Sequence, residues 1–126
     1  YDDYAHHPDE VAATISAGRD AMPGRRLVLA FQPHTYSRTS ALFDDFVREL
    51  SRADVLVLAE IYAARERNTI GISSADVAEK IPGAVFCETL PEVTEYLRQN
   101  VREGDVVLTM GAGDIFRAGE ALLKSE

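Results

Sequence analysis

Four short stretches concentrate residue types that can do chemistry: "DDYAHHP" (2–8), "QPHTYSRT" (32–39), "YAARERN" (62–68) and "GAGD" (111–114). Carboxylates can accept hydroxyl hydrogen bonds, imidazoles can bind phosphate or move a proton, and a guanidinium can grip a carboxylate with two parallel bonds. Each cluster also has a plain structural reading. Asp2 and Asp3 could cap a helix that begins at Pro8. Arg38 could pair with Asp44 or Asp45 on the helix that follows it, a surface contact worth about 1 kcal/mol at most. Glu60 and Tyr62 could simply line the edge of a sheet. His6 and His7 are adjacent, so their side chains diverge. His34 makes three histidines, but there is no second cysteine and no HExxH spacing, so no metal is expected.

"MGAGDIF" has Phe116 where a dinucleotide fingerprint needs its third Gly or Ala, and it follows the last strand, not the first, so NAD binding is excluded. Its backbone N–H groups can still meet a carboxylate or phosphate. No GxxxxGK[ST] stretch occurs, so any ATP phosphate cradle lies outside this chain.

The elements that must position these clusters alternate regularly. "RLVLAF" (26–31), "DVLVLAEI" (54–61), "AVFC" (84–87) and "DVVLTM" (105–110) are apolar runs that hardly alternate, as strands buried on both faces do. Helical patterns lie between them. Val11, Ile15 and Met22 follow Pro8, Asp9 and Glu10; Leu42, Phe43, Phe46, Val47 and Leu50 form a stripe. Ser73 with Asp76 and Thr89 with Glu92 read as capping boxes, and the second leads into Val93, Leu97 and Val101. Ile115, Ala118 and Leu122 mark a last helix. The expected fold is therefore α/β: a three-layer sandwich with a mostly parallel, Rossmann-like sheet. A short strand ending near Asp2 would place all four clusters after strand carboxyl ends, where open α/β sheets bind ligands. If the strands flanking the first helix are neighbours, Arg38 lies beside the loop carrying His6.

The bounds agree. The 126 residues suit one domain, and 46% hydrophobic content supplies a core. A net charge of −8 with no polybasic run speaks against nucleic acid or an anionic membrane. Cys87 is the only cysteine and reads as a small core residue, so a reducing, cytoplasmic setting is expected. No apolar run is long enough to span a bilayer, and the start does not read as a signal peptide.

Together, "DDYAHHP", "FQPHTYSRT", "IYAARE" and "GAGDIF" resemble the C-terminal domain of the Mur ligases of bacterial peptidoglycan synthesis. The first stretch is shared across several of them; "FQPHxYSRT" resembles the alanine-adding branch. A murein-tripeptide-recycling relative shares "DDxAHHP" but differs in the second loop. The resemblance implies a third domain, residues 1–126, following UDP-binding and ATP-binding domains, which would account for the missing initial Met. It also implies a role in an ATP- and Mg-dependent ligase that joins L-alanine to UDP-N-acetylmuramate. ATP and Mg would be held mainly by the central domain, with no metal held here. By resemblance, Asp3 and His6 are the catalytic candidates, and Asp3, Tyr4 and His6 face the nucleotide. His34, Tyr36 and Arg38, with Gly111, Ala112 and Gly113, would line the alanine pocket. Many alanine-adding relatives carry Arg where this chain has Thr35. The chain alone is expected to be inactive. The competing readings are a flavodoxin-like binding module and a scaffold domain with merely solvated loops.

Overall fold

The computed structural model describes residues 7–111, 115 and 117, and the backbone of residues 2 and 3. Five strands, all parallel, form one sheet: β1 (Asp2–Asp3), β2 (Leu27–Phe31), β3 (Val55–Ala59), β4 (Val85–Cys87) and β5 (Val106–Met110), in the order β1-β5-β2-β3-β4. The helices are α1 (Pro8–Ala21), α2 (Tyr36–Ala41), α3 (Phe43–Leu50), α4 (Ser74–Glu79) and α5 (Leu90–Asn100). The α/β sandwich expected from the sequence is the fold observed.

The apolar runs bury both faces because helices cover both. Leu27, Leu29, Phe31, Leu56, Leu58, Leu108 and Met110 point to one face, packed by Val11 and Ile15 of α1, Phe46 and Leu50 of α3, and Val77 of α4. Phe31 and Phe46 meet with ring centroids 5.6 Å apart. Val28, Ala30, Val57, Ala59 and Cys87 point to the other face, packed by Val93 and Leu97 of α5 and by Ile115. Crossovers of a single hand require this division. Those stepping from β1 towards β4 lie on one face, and the return through α5 lies on the other.

Local chemistry sets the helix ends. His7 caps α1: its Nδ1 accepts from the Asp9 N–H at 3.1 Å, and Pro8 follows in the first turn. At the other end, the Met22 N–H closes on the Gly18 carbonyl before Pro23 stops the helix. Ser73 and Asp76 form a complete capping box, Asp substituting for the usual Glu. Thr89 caps α5, but its hydroxyl donates to the Glu92 carboxylate, so the box expected there is only half made. The stripe from Leu42 to Leu50 is α3 with its N-cap, and Leu42 also ends the short α2 before it.

The charged residues just before the strands lie outside them, and their contacts pin the amino-terminal edge. Arg26 meets Asp105 at 2.7 Å and also donates to the Asn100 carbonyl at 2.6 Å. Asp54 accepts from the Leu27 N–H at 2.7 Å and from Arg19 at 3.2 Å. The reactive-looking loops all leave the opposite edge.

Candidate functional site

Parallel pairing brings the loops after β1, β2, β3 and β5 to one edge of the sheet. The scaffold reading needed these loops to be dispersed, and they converge. β1 and β2, however, are not neighbours. The return crossover seats β5 between them, so Gly111 leaves the sheet between the loops after β1 and β2. The chain after β5 carries Ile115 to the α5 face, whereas those after β1 and β2 enter helices on the opposite face. Such a divergence between neighbouring strands opens a crevice at their carboxyl ends.

The β2 and β3 loops are stitched together beyond the strands. The Gln32 N–H donates to the Met110 carbonyl at 3.0 Å. Tyr62 donates to the Pro33 carbonyl and accepts from the Thr35 N–H, both at 2.8 Å, which makes a parallel bridge between His34 and Tyr62. That register stacks the two rings, with centroids 5.6 Å apart and planes 17° from parallel.

Arg38 sits in the first turn of α2, and its Nη1 lies 3.0 Å from His34 Nδ1. A guanidinium only donates, so this contact is a hydrogen bond only in the His34 tautomer whose Nδ1 accepts, the one that carries its proton on Nε2. Arg38 is thus held against a ring nitrogen, with the Glu66 carboxylate close enough to feel its charge. The surface pairing with Asp44 or Asp45 is not what forms: Asp45 contacts Arg48 at 3.1 Å. Thr35, between these loops, has φ 66° and ψ 146°, a rare conformation for a β-branched residue. Its Oγ1 accepts from the Arg38 N–H at 3.3 Å.

Glu66, within the third polar stretch but with no role assigned from sequence, anchors this corner. One carboxylate oxygen accepts from the Tyr36 N–H at 2.7 Å and the Ser37 N–H at 3.1 Å; the other accepts from the Ser37 hydroxyl. The Ser37 hydroxyl and N–H, then the Tyr36 N–H, hold its carboxyl below the usual range, with a further contribution from the charge of Arg38. No local pattern reveals a contact that spans about thirty residues. Glu60, expected to line the edge, caps α4 by accepting from the Ser73 hydroxyl at 2.8 Å and the Ser74 N–H at 3.1 Å.

Gly111 is required by space. A Cβ there would lie 2.8 Å from the Gln32 carbonyl oxygen, and its φ of 153° disfavours other residues. Tyr36 lines a cavity of about 280 Å³ with Ser37, Glu66, Arg67, Thr69 and Ile70, which neither His34 nor Arg38 lines. The structure therefore joins His34 to Arg38 and adds Tyr62, while Tyr36 borders a different hollow. The backbone of Asp3 ends β1 opposite Met110. Tyr4, His6, Ala112 and Gly113, with Ala118 and Leu122 of the expected last helix, lie outside the described residues. Among the described residues, no three His, Cys, Asp or Glu side chains are grouped to hold a metal, and no helix is long and apolar enough to cross a membrane.

Residues 1–113 match the family model for the Mur ligase, glutamate ligase domain. The chain belongs to the Mur ligase family. It is 53% identical, over 98% of its length, to a UDP-N-acetylmuramate–L-alanine ligase of Lachnospira eligens, and 46% identical, over 99%, to that of Clostridium novyi. It spans 28% of the length of each. Among solved structures, the UDP-N-acetylmuramate-alanine ligase of Thermotoga maritima superposes with a TM-score of 0.77 at 26% identity, over 97% of this chain and 25% of that one. A murein peptide ligase of Psychrobacter arcticus shares the fold, with a TM-score of 0.71 at 17% identity, over 97% of this chain and 26% of that one.

Proposed function

We propose that this Mur ligase chain is the third, C-terminal domain of a cytoplasmic, ATP-dependent ligase that joins L-alanine to UDP-N-acetylmuramate in peptidoglycan synthesis. The observation that carries the reading is the Arg38–His34 pair, backed by Tyr62, at the carboxyl edge of the sheet. It occurs in a chain about half identical to ligases named for alanine. The comparisons do not favour the tripeptide-recycling relative or the binding module.

When bound, mainly by the rest of the enzyme, ATP with Mg would supply the phosphoryl group that activates the sugar carboxylate for attack by the alanine amine. This chain's residues orient the amino acid and close over the site. The Arg38 guanidinium takes the alanine carboxylate through paired hydrogen bonds, leaving the amine free to react. His34 and Tyr62 fix the direction of Arg38. Gly111, with Ala112 and Gly113, borders the alanine, and Tyr36 opens the helix that carries Arg38. Asp3 and Tyr4 face the nucleotide, Asp3 at its ribose hydroxyls, and His6 lies near the phosphates. Domain closure keeps water from the activated carboxylate.

The test is phosphate release by the full-length enzyme with ATP, UDP-N-acetylmuramate and each of L-alanine, glycine and L-serine. Release that depends on L-alanine is expected. Equal release without any amino acid, or strict dependence on a tripeptide, would overturn the proposal.

A further inference from the structure

α2 has only six residues, too few to hold its own shape in water, so whatever anchors its first turn decides where Arg38 points. The anchor comes from the β3–α4 connection. Glu66 takes the N–H groups of Tyr36 and Ser37, and Thr35 takes that of Arg38 over a longer 3.3 Å bond. These donors are committed, so the guanidinium is what the first turn offers to an incoming carboxylate. The connection is itself braced. Asn68 accepts from the Gly71 N–H at 2.8 Å and donates to the Ile72 carbonyl at 2.9 Å, and Glu60 ties its far end to α4. Glu66 thus projects from a fixed frame.

We propose that Glu66 is a positioning residue that holds α2 so that Arg38 stays on His34, ready for the amino-acid carboxylate. Its alanine-related consequence rests on the ligase reading above. Without Glu66, two first-turn N–H groups lose their acceptor and α2 is free to shift. A misplacement of about 1 Å at a reacting group can cost on the order of a hundredfold.

Two measurements test this. In ¹⁵N spectra of this chain, His34 should show an unprotonated Nδ1 and a protonated Nε2. Glu66→Ala should replace that signature with tautomer averaging. Glu66→Gln should keep it, because the amide oxygen still accepts the two N–H groups. In the full-length enzyme, Glu66→Ala should raise the alanine KM roughly ten- to a hundredfold while the ATP KM stays within about twofold, with Glu66→Gln largely restored. Should Glu66→Ala fail to fold, Glu66→Asp, one methylene shorter, should show an intermediate change in both. A merely structural brace would lower Tm and leave the imidazole signature and alanine KM at parental values, which would overturn the inference. A raised alanine KM in Arg38→Ala but not in Glu66→Ala would refute the inference and leave the ligase reading standing. An enzyme indifferent to alanine would refute that reading, and the ¹⁵N arm alone would then decide whether Glu66 holds the pair.

Discussion

Arg38 combines a permanent charge with a planar fork of donors directed by its contact with His34, which suits it to a carboxylate. Removing one partner of a desolvated charge pair costs about 2–5 kcal/mol, so Arg38→Ala should lower kcat/KM for alanine roughly 30-fold to several thousand-fold. Arg38→Lys should restore little, because an ammonium cannot make the paired contact. An alanine KM within about twofold of the parent, measured at saturating ATP, would remove Arg38 from the site. Gly111 supports the same corner through space rather than charge. With a Cβ forced to 2.8 Å from the Gln32 carbonyl, Gly111→Ala should cost about 1–3 kcal/mol, read as a lower Tm. An unchanged Tm would show that the backbone there yields freely. Thr35 keeps an unfavourable φ within a few residues of both partners, and such backbone outliers concentrate at functional sites.

At the scale of elements, the two edges of the sheet divide the work. The amino-terminal edge is held by ion pairs and carries no candidate chemistry. Asp105 accepts from Arg26 and from the Arg102 N–H, with its side chain only 6% exposed. Asp105→Ala should destabilise the chain by about 2–3 kcal/mol, seen as a lower denaturation midpoint at an unchanged m-value. The same contacts set the acid response. Arg26 holds the Asp105 carboxyl below its ordinary value, and the Leu27 N–H does the same for Asp54. A carboxyl depressed in the folded state stabilises above its unfolded pKa, and that stability is lost as pH falls through the folded value. Tm should therefore hold near neutrality and fall steeply below about pH 4, with a shallower fall in Asp105→Asn. Identical acid limbs would show that other carboxylates govern it.

At the scale of the whole molecule, both faces of the sheet are covered and Cys87 lies buried, its thiol pushed up by desolvation and then by Glu92. A chain with its own two-faced core should melt cooperatively by itself. It should show no alanine-dependent phosphate release, because the phosphate loop is absent from its sequence. Calorimetry of this chain, paired with a phosphate assay, tests both halves. Robust alanine-dependent turnover by the chain alone would overturn the division of labour proposed between domains. The net charge of −8, with no polybasic run, is consistent with recognising a small anion rather than a polyanion.

The amino-acid sequence alone determined the layers. Unbroken apolar runs separated by helical stripes admit few folds besides a parallel sheet covered on both faces, because period and burial are local properties. It also put His34 and Arg38 four residues apart in one polar stretch, without showing that they touch. What the tertiary structure decided is how partners distant in sequence meet. The place of β5 between β1 and β2 follows from the return crossover, which no local pattern records. The stacking of Tyr62 on His34 and the grip of Glu66 on Tyr36 and Ser37 join loops about thirty residues apart. Arg26 and Asp105 open two of the apolar runs in the sequence, and only strand order places them against each other, outside the strands. Residue types at one position fix which bonds are possible, and only the folded register fixes which are made.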